Sequence, residues 1–292
     1  MGYTRFIKHR AEEEKMAIIQ ANFMSKSLMR TVTVNVVLPV DKLTKPGDPV
    51  REKKPFKTLY LLHGIFGDYT DWITGTRVAR WAQENNLAVV MPSGENHFYV
   101  DDERAGHYYG RFIGEELVQM TRDMFPLSDK REDTFIGGLS MGGYGALVNG
   151  LKYSDTFGAI VALSSGLILG RFEKATDDPN AGYSSRKGYL ESVFGDLTKV
   201  KGSDMDYEAL VLKLKREKKP FPKMYLACGS EDFLIEPNRA YVKFLKEQGV
   251  AHTYVEGPGV HDWNFWDTYI RKAMDWLPLE GKTEGINSGH VQ

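Results

Sequence analysis

An α/β fold, with a mostly parallel central sheet, helices on both faces and a small cap insertion, is predicted by two features of the chain. Short, almost wholly apolar runs recur at Thr58–Leu62, Leu87–Met91, Thr134–Ile136, Ala159–Leu163 and Met224–Cys228. Such runs suit central parallel strands that are covered on both faces. Between them lie stretches with helical spacing, and strands that alternate with helices imply a parallel sheet sandwiched by helical layers. In sheets of this kind the reactive groups collect at the carboxyl ends of the strands.

Taken in order, Thr31–Leu38 alternates with β-branched residues and reads as an early, half-exposed strand. Residues 113–124 place Ile113, Leu117, Met120 and Met124 on one helical face, with Glu115, Glu116, Arg122 and Asp123 elsewhere. Tyr144–Val148, directly after a glycine-rich turn, is compatible with helix. Residues 165–222 break the rhythm: they are polar and glycine-rich, with little clear periodicity, and read as a cap inserted over the site. The basic run Lys213–Lys219 within them reads as a solvated helix face. Pro237 at a first helical position and Gly249 just past the end bracket a further helix, with Val242, Phe244 and Leu245 available for its buried side. Ala251–Val255 is the last expected strand, and Trp263–Leu277 the last helix, stopped by Pro278.

At 292 residues the chain is long enough to bury an ample core without staples. Residues 16–279 read as one domain with the cap insertion at about 165–222, preceded by an N-terminal extension (1–15) and followed by a flexible tail (280–292). A net charge of −1 argues against a general pull toward nucleic acid or anionic membranes and favours small neutral substrates. No apolar stretch approaches the roughly 20 residues that span a bilayer, and the N-terminus shows no signal-peptide pattern. The single cysteine, Cys228, lies inside an apolar strand and reads as a small core residue. It excludes an intramolecular disulfide framework and a cysteine cluster for zinc, and the expected location is cytoplasmic. A homo-oligomer is compatible with the sequence.

Gly138-Leu139-Ser140-Met141-Gly142 follows the strand Thr134–Ile136 and precedes a helix, the strand–turn–helix setting of a nucleophile elbow. So sharp a turn strains the serine backbone, and a Cβ on either flanking glycine would collide with neighbouring backbone. A serine hydroxyl is a poor nucleophile at neutral pH and needs a base, which in turn needs an orienting carboxylate. Of seven histidines, His261 sits in the loop between the last strand and the last helix, from which it can reach across the strand ends. Asp232 follows Met224–Cys228 through a turn and is the candidate acid, with Glu231 its direct competitor; Asp262 reads as a helix cap or surface group. The chain order Ser140, Asp232, His261 is that of α/β-hydrolases. The loop His63-Gly64-Ile65-Phe66-Gly67 follows Thr58–Leu62. Its Ile65 amide, paired with the Met141 amide, is the candidate oxyanion hole, and His63 reads as an organiser of the loop. His97, His107, Tyr99, Tyr108 and Tyr109 could line a pocket or simply pack.

On these residues the chain resembles the esterase D family of α/β-hydrolases, and within it the bacterial tributyrin, acetyl and feruloyl esterases. The resemblance runs from about Met16 to Leu277. It is carried by His63-Gly64-x-x-Gly67-x-x-x-Asp71-Trp72, Gly138–Gly145, Cys228-Gly229-x-x-Asp232-Phe233-Leu234 and His261-Asp262-Trp263-x-x-Trp266. It implies the α/β-hydrolase fold and a serine carboxylesterase acting on short-chain acyl esters, including acetyl or cinnamoyl groups on plant saccharides, without metal or organic cofactor. S-formylglutathione hydrolases share the family, so a thioester substrate is an alternative; acyl transfer and a catalytically silent binding module are others.

Overall fold

Nine residues of unbroken antiparallel register, Ala17–Ser25 (β1) against Arg30–Leu38 (β2), begin the sheet in the computed structural model. The structure describes residues 17–40, 42, 47, 54–280 and 282, so the extension expected over 1–15 and most of the tail expected over 280–292 lie outside the described residues. β1 is an edge strand whose exposed and half-buried residues alternate. Because β1 covers it on one side and the next strand on the other, β2 is largely buried and not half-exposed as expected.

The remaining strands of the main sheet are Thr58–Leu62 (β3), Ala88–Pro92 (β4), Thr134–Leu139 (β5), Ala159–Leu163 (β6), Lys223–Gly229 (β7) and Thr253–Gly257 (β8). They pair in the order β1-β2-β4-β3-β5-β6-β7-β8, parallel from β4 onward and antiparallel at the two pairs that β2 makes. All five apolar runs are strands of this sheet. β5 continues three residues past the expected Ile136, so Gly137, Gly138 and Leu139 still pair in register with β6. Parallel neighbours bring the ends of β3, β5, β6 and β7 to one edge, which is what gathers their following loops into one place.

Successive strand residues face opposite layers. Leu59, Leu61, Val89, Phe135, Val161 and Tyr225 pack in one core with the helices Val78–Glu84 (α1) and Trp263–Trp276 (α2). Tyr60, Leu62, Val90, Ile136, Ile160 and Leu226 face the other core. There they meet Leu117–Met124 (α3), Met141–Lys152 (α4), Tyr207–Glu217 (α5) and Ile235–Glu247 (α6). The stretch expected to be one helix from 113 is a π turn, Phe112–Glu116, running into α3. The wider turn shifts the buried face, so that Leu117, Val118 and Thr121 are buried while Met124 is exposed. Pro237 is the third residue of α6, and Asn238, Tyr241 and Leu245 form its buried side.

Between β6 and β7 the chain is more regular than its composition suggests. It carries a helix, Lys187–Phe194 (α7), and then α5. Asp206 caps α5 by accepting the Glu208 and Ala209 amides, and Tyr207, Leu210, Val211 and Leu214 give it an apolar stripe. Lys213, Lys215 and Arg216 lie on its exposed side, as the basic run implies.

Candidate active site

The turn from β5 into α4 places Ser140 at φ 52°, ψ −117°, a conformation an L-residue adopts only under constraint. Backbone bonds impose it: the Ser140 amide donates to the Leu163 carbonyl at 2.9 Å, and its own carbonyl accepts from the Gly166 amide at 2.7 Å. The expected steric need for glycine is borne out. A Cβ on Gly138 would stand 2.4 Å from the Gly142 carbonyl oxygen, and one on Gly142 would stand 2.3 Å from that of Leu62.

The structure brings the three distant side chains together. His261 Nε2 lies 3.0 Å from Ser140 Oγ, and His261 Nδ1 lies 2.9 and 3.1 Å from the two oxygens of Asp232. A carboxylate can only accept, so Nδ1 carries the proton and Nε2 is free to accept from the serine hydroxyl. Asp232 is 2% exposed and faces the imidazole, whereas Glu231 is exposed to solvent. Burial pushes the Asp232 carboxyl up. Hydrogen bonds from His261, the Leu234 amide and the Ser164 hydroxyl outweigh it and hold the group below the usual 3.8. The His261 ring is packed between Phe233, at 4.6 Å, and the edge of Trp266, at 5.0 Å. Asp262 caps α2 by accepting the Phe265 amide.

Two residues here went unremarked in the sequence. Ser164 follows β6 at φ 45°, touches Asp232 and accepts the Trp266 indole N–H at 3.2 Å. Asn238 of α6 brackets Ser165, accepting its amide and donating to its carbonyl. Their signal was the polar Ser164-Ser165-Gly166 directly after an apolar strand, the same placement that marks Ser140 and Asp232.

The loop after β3 lies against the elbow: a Cβ on Gly64 would stand 3.6 Å from that of Ser140. His63 is fully buried and organises this loop. Its Nε2 accepts the Gly94 amide at 2.8 Å, which puts the proton on Nδ1, where it donates to the Gly64 carbonyl at 2.6 Å. Burial, opposed by the Gly64 carbonyl and the Asp71 and Asp68 carboxylates, holds the ring's pKa below the usual 6.5. The unfolded chain therefore takes up this proton near 6.5 while the folded chain resists it until lower pH. The stability from neutral His63 is present above 6.5 and is lost as pH falls toward the folded value. His97, also lowered by burial, adds in the same direction. We expect the melting temperature to fall as pH is taken from 7.5 to 5, and the slope to flatten in His63→Asn.

Met141 is the first residue of α4, so its amide belongs to the N–H groups a helix leaves without an internal acceptor. Tyr99 and Tyr109 are buried core residues, and His97 stacks on Tyr109 at 4.7 Å. Cys228 is buried in β7, with its thiol pushed up to about 12 by burial. Among the described residues no group of three or more His, Cys, Asp or Glu stands together as a ligand set for a metal.

A buried carboxylate, an oriented imidazole and a serine on a strained elbow can together deprotonate a hydroxyl and pass its proton to a departing group. The comparisons with known proteins agree with this chemistry. The chain is 50% identical over 262 residues, 90% of its own length and 98% of the relative's, to an acetyl esterase of Caldicellulosiruptor saccharolyticus. Among solved structures it is similar to an S-formylglutathione hydrolase of Staphylococcus aureus, at 34% identity, TM-score 0.76 and coverage of 90% and 99% of the two chains. It is equally similar to the fluorophosphonate-binding serine hydrolase F of the same organism, at 34% identity, TM-score 0.76 and coverage of 90% and 98%. With the Esterase family model matching residues 25–277, the chain belongs to the Esterase family and is a serine carboxylesterase on the α/β-hydrolase fold.

Proposed function

We propose that Ser140 is the nucleophile, His261 the general base and then acid, and Asp232 the residue that orients it, in hydrolysis of short-chain acyl esters. The observation that carries this reading is the continuous line of hydrogen bonds from Asp232 through both ring nitrogens of His261 to Ser140 Oγ. Oγ attacks the ester carbonyl carbon as its proton passes to Nε2, and the carbonyl electrons move onto oxygen. Collapse of that oxyanion breaks the bond to the alcohol, which leaves with the proton from Nε2. Water repeats the sequence on the acyl-serine, releasing the carboxylic acid and restoring the hydroxyl.

The Ile65 and Met141 amides serve in this proposal as the oxyanion donors. The place of Met141 at the positive end of α4 and the close approach of Gly64 to Ser140 support it. The segment between β6 and β7 acts as the cap: its Tyr183 ring meets that of Phe66, next to Ile65, while the exposed Phe233 packs on His261. The acetyl esterase relative makes acetyl the first choice of acyl group, carried on small alcohols or on saccharide fragments. No helix among the described residues is long and apolar enough to cross a membrane, and the single buried cysteine fits a cytoplasmic location.

A fluorophosphonate probe should label the protein once, on the peptide containing Ser140. Over a panel of p-nitrophenyl esters from acetyl to octanoyl, with methyl ferulate, acetylated xylan oligomers and S-formylglutathione, kcat/KM should be highest on an acetyl ester. Absence of labelling would point to a silent binding module, and preference for the thioester would replace the ester assignment.

A further inference from the structure

The loop that carries Ile65 is tied down by the loop after β4. The Gly94 amide donates to His63 Nε2, the Tyr99 hydroxyl donates to the His63 carbonyl at 3.0 Å, and the Phe66 amide donates to Asn96 Oδ1 at 2.8 Å. Phe66 needs such a restraint. It sits at φ 69°, a left-handed conformation costly for a bulky residue, and the residue is 71% exposed, so burial gives it little compensation. The loop that supplies the restraint is itself unusual, with Glu95, Phe98 and Tyr99 all at positive φ.

Asn96 also reaches the insertion between β6 and β7. Its backbone carbonyl accepts the Tyr189 hydroxyl at 2.7 Å. Tyr189 meets Tyr183 edge-on at 6.4 Å, and Tyr183 meets Phe66 edge-on at 4.9 Å. The four residues form a closed circuit, Phe66 to Asn96 to Tyr189 to Tyr183 and back to Phe66. Two of them belong to the insertion, one adjoins Ile65, and Asn96 alone in the circuit makes both of its links through hydrogen bonds.

We propose that Asn96 is a positioning residue that fixes the Ile65–Phe66 backbone in the geometry used for the oxyanion and couples that geometry to the insertion through Tyr189. The inference rests on the reading of Ile65 as an oxyanion donor. A donor displaced from its place binds the charged intermediate less well while barely changing the fit of the neutral ester, so the effect falls on kcat.

The test measures kcat and KM on p-nitrophenyl acetate, together with affinity for a boronic acid that forms a tetrahedral adduct with the serine, in wild type, Asn96→Ala, Tyr189→Phe and the double variant. Asn96→Ala should lower kcat about tenfold or more, short of the roughly 10²–10³ lost when a donor is removed outright, with KM changed by less than about threefold. Boronate affinity should fall in parallel. Tyr189→Phe should lower kcat in the same direction by a smaller factor, and the double variant should lose less than the product of the two single effects, because both act through one link. A kcat for Asn96→Ala within about twofold of wild type, or a fall in kcat with boronate affinity intact, would overturn the assignment. Should Asn96→Ala fail to fold by circular dichroism, an unchanged kcat in Tyr189→Phe overturns the coupling. Fluorophosphonate labelling of Ser140 separates the two levels: labelled wild type with an indifferent Asn96→Ala refutes only the role of Asn96, whereas unlabelled wild type refutes the acyl-serine reading beneath it.

Discussion

Ser140→Ala is expected to lower kcat on p-nitrophenyl acetate by about 10⁴-fold or more, with residual turnover coming from substrate binding and backbone donors that remain in place. The size of the effect follows from the chemistry removed. Without Oγ there is no acyl intermediate, and His261 Nε2, 3.0 Å from that oxygen, has no proton to take from it. The fold should tolerate the change, since the elbow is held by the backbone bonds from Ser140 to Leu163 and Gly166 and not by the hydroxyl. Stopped-assay kinetics with a matched melting curve checks it. Activity within a factor of about ten of wild type would remove Ser140 from the reaction.

Asp232→Asn is expected to cost about 10⁴-fold in kcat at neutral pH with little change in the melting temperature. The amide has the volume of the carboxylate and can still accept the Leu234 amide, which now meets Asp232 Oδ1 at 2.8 Å. An amide nitrogen turned toward His261 Nδ1 stabilises the wrong tautomer, with the proton on Nε2, where it cannot accept from serine. The imidazolium formed during attack also loses its buried counter-charge. Glu231→Gln, one residue away but exposed, should leave kcat within about threefold of wild type. Equal effects of the two substitutions would mean that Asp232 does not act through His261.

Much of this molecule is legible in the sequence because burial is written locally. A strand covered on both faces must be apolar throughout, so Thr58–Leu62 and Ala159–Leu163 show their full length in the sequence. The elbow is legible for a steric reason, since Gly138 and Gly142 approach backbone that no side chain could clear. Elements whose burial depends on distant partners were not legible. From Ala17 to Met24 β1 alternates between half-buried and exposed residues, because one of its edges and much of one face meet solvent, and it is a strand through pairing with β2. The helices between β6 and β7 are short amphipathic pieces embedded in polar turns, and their apolar stripes blur within that composition.

Residue types and their order along the chain thus determined the architecture, the elbow serine and the loop positions from which a histidine and an acid can serve it. Only the tertiary structure set Asp232 against His261 and left Glu231 in solvent, shifted the buried face of α3, brought in Ser164, and closed the circuit through Asn96. The physical reason is that periodicity records which side of an element is covered, whereas a hydrogen bond of about 3 Å between residues more than a hundred positions apart depends on strand order and on the twist of the whole sheet.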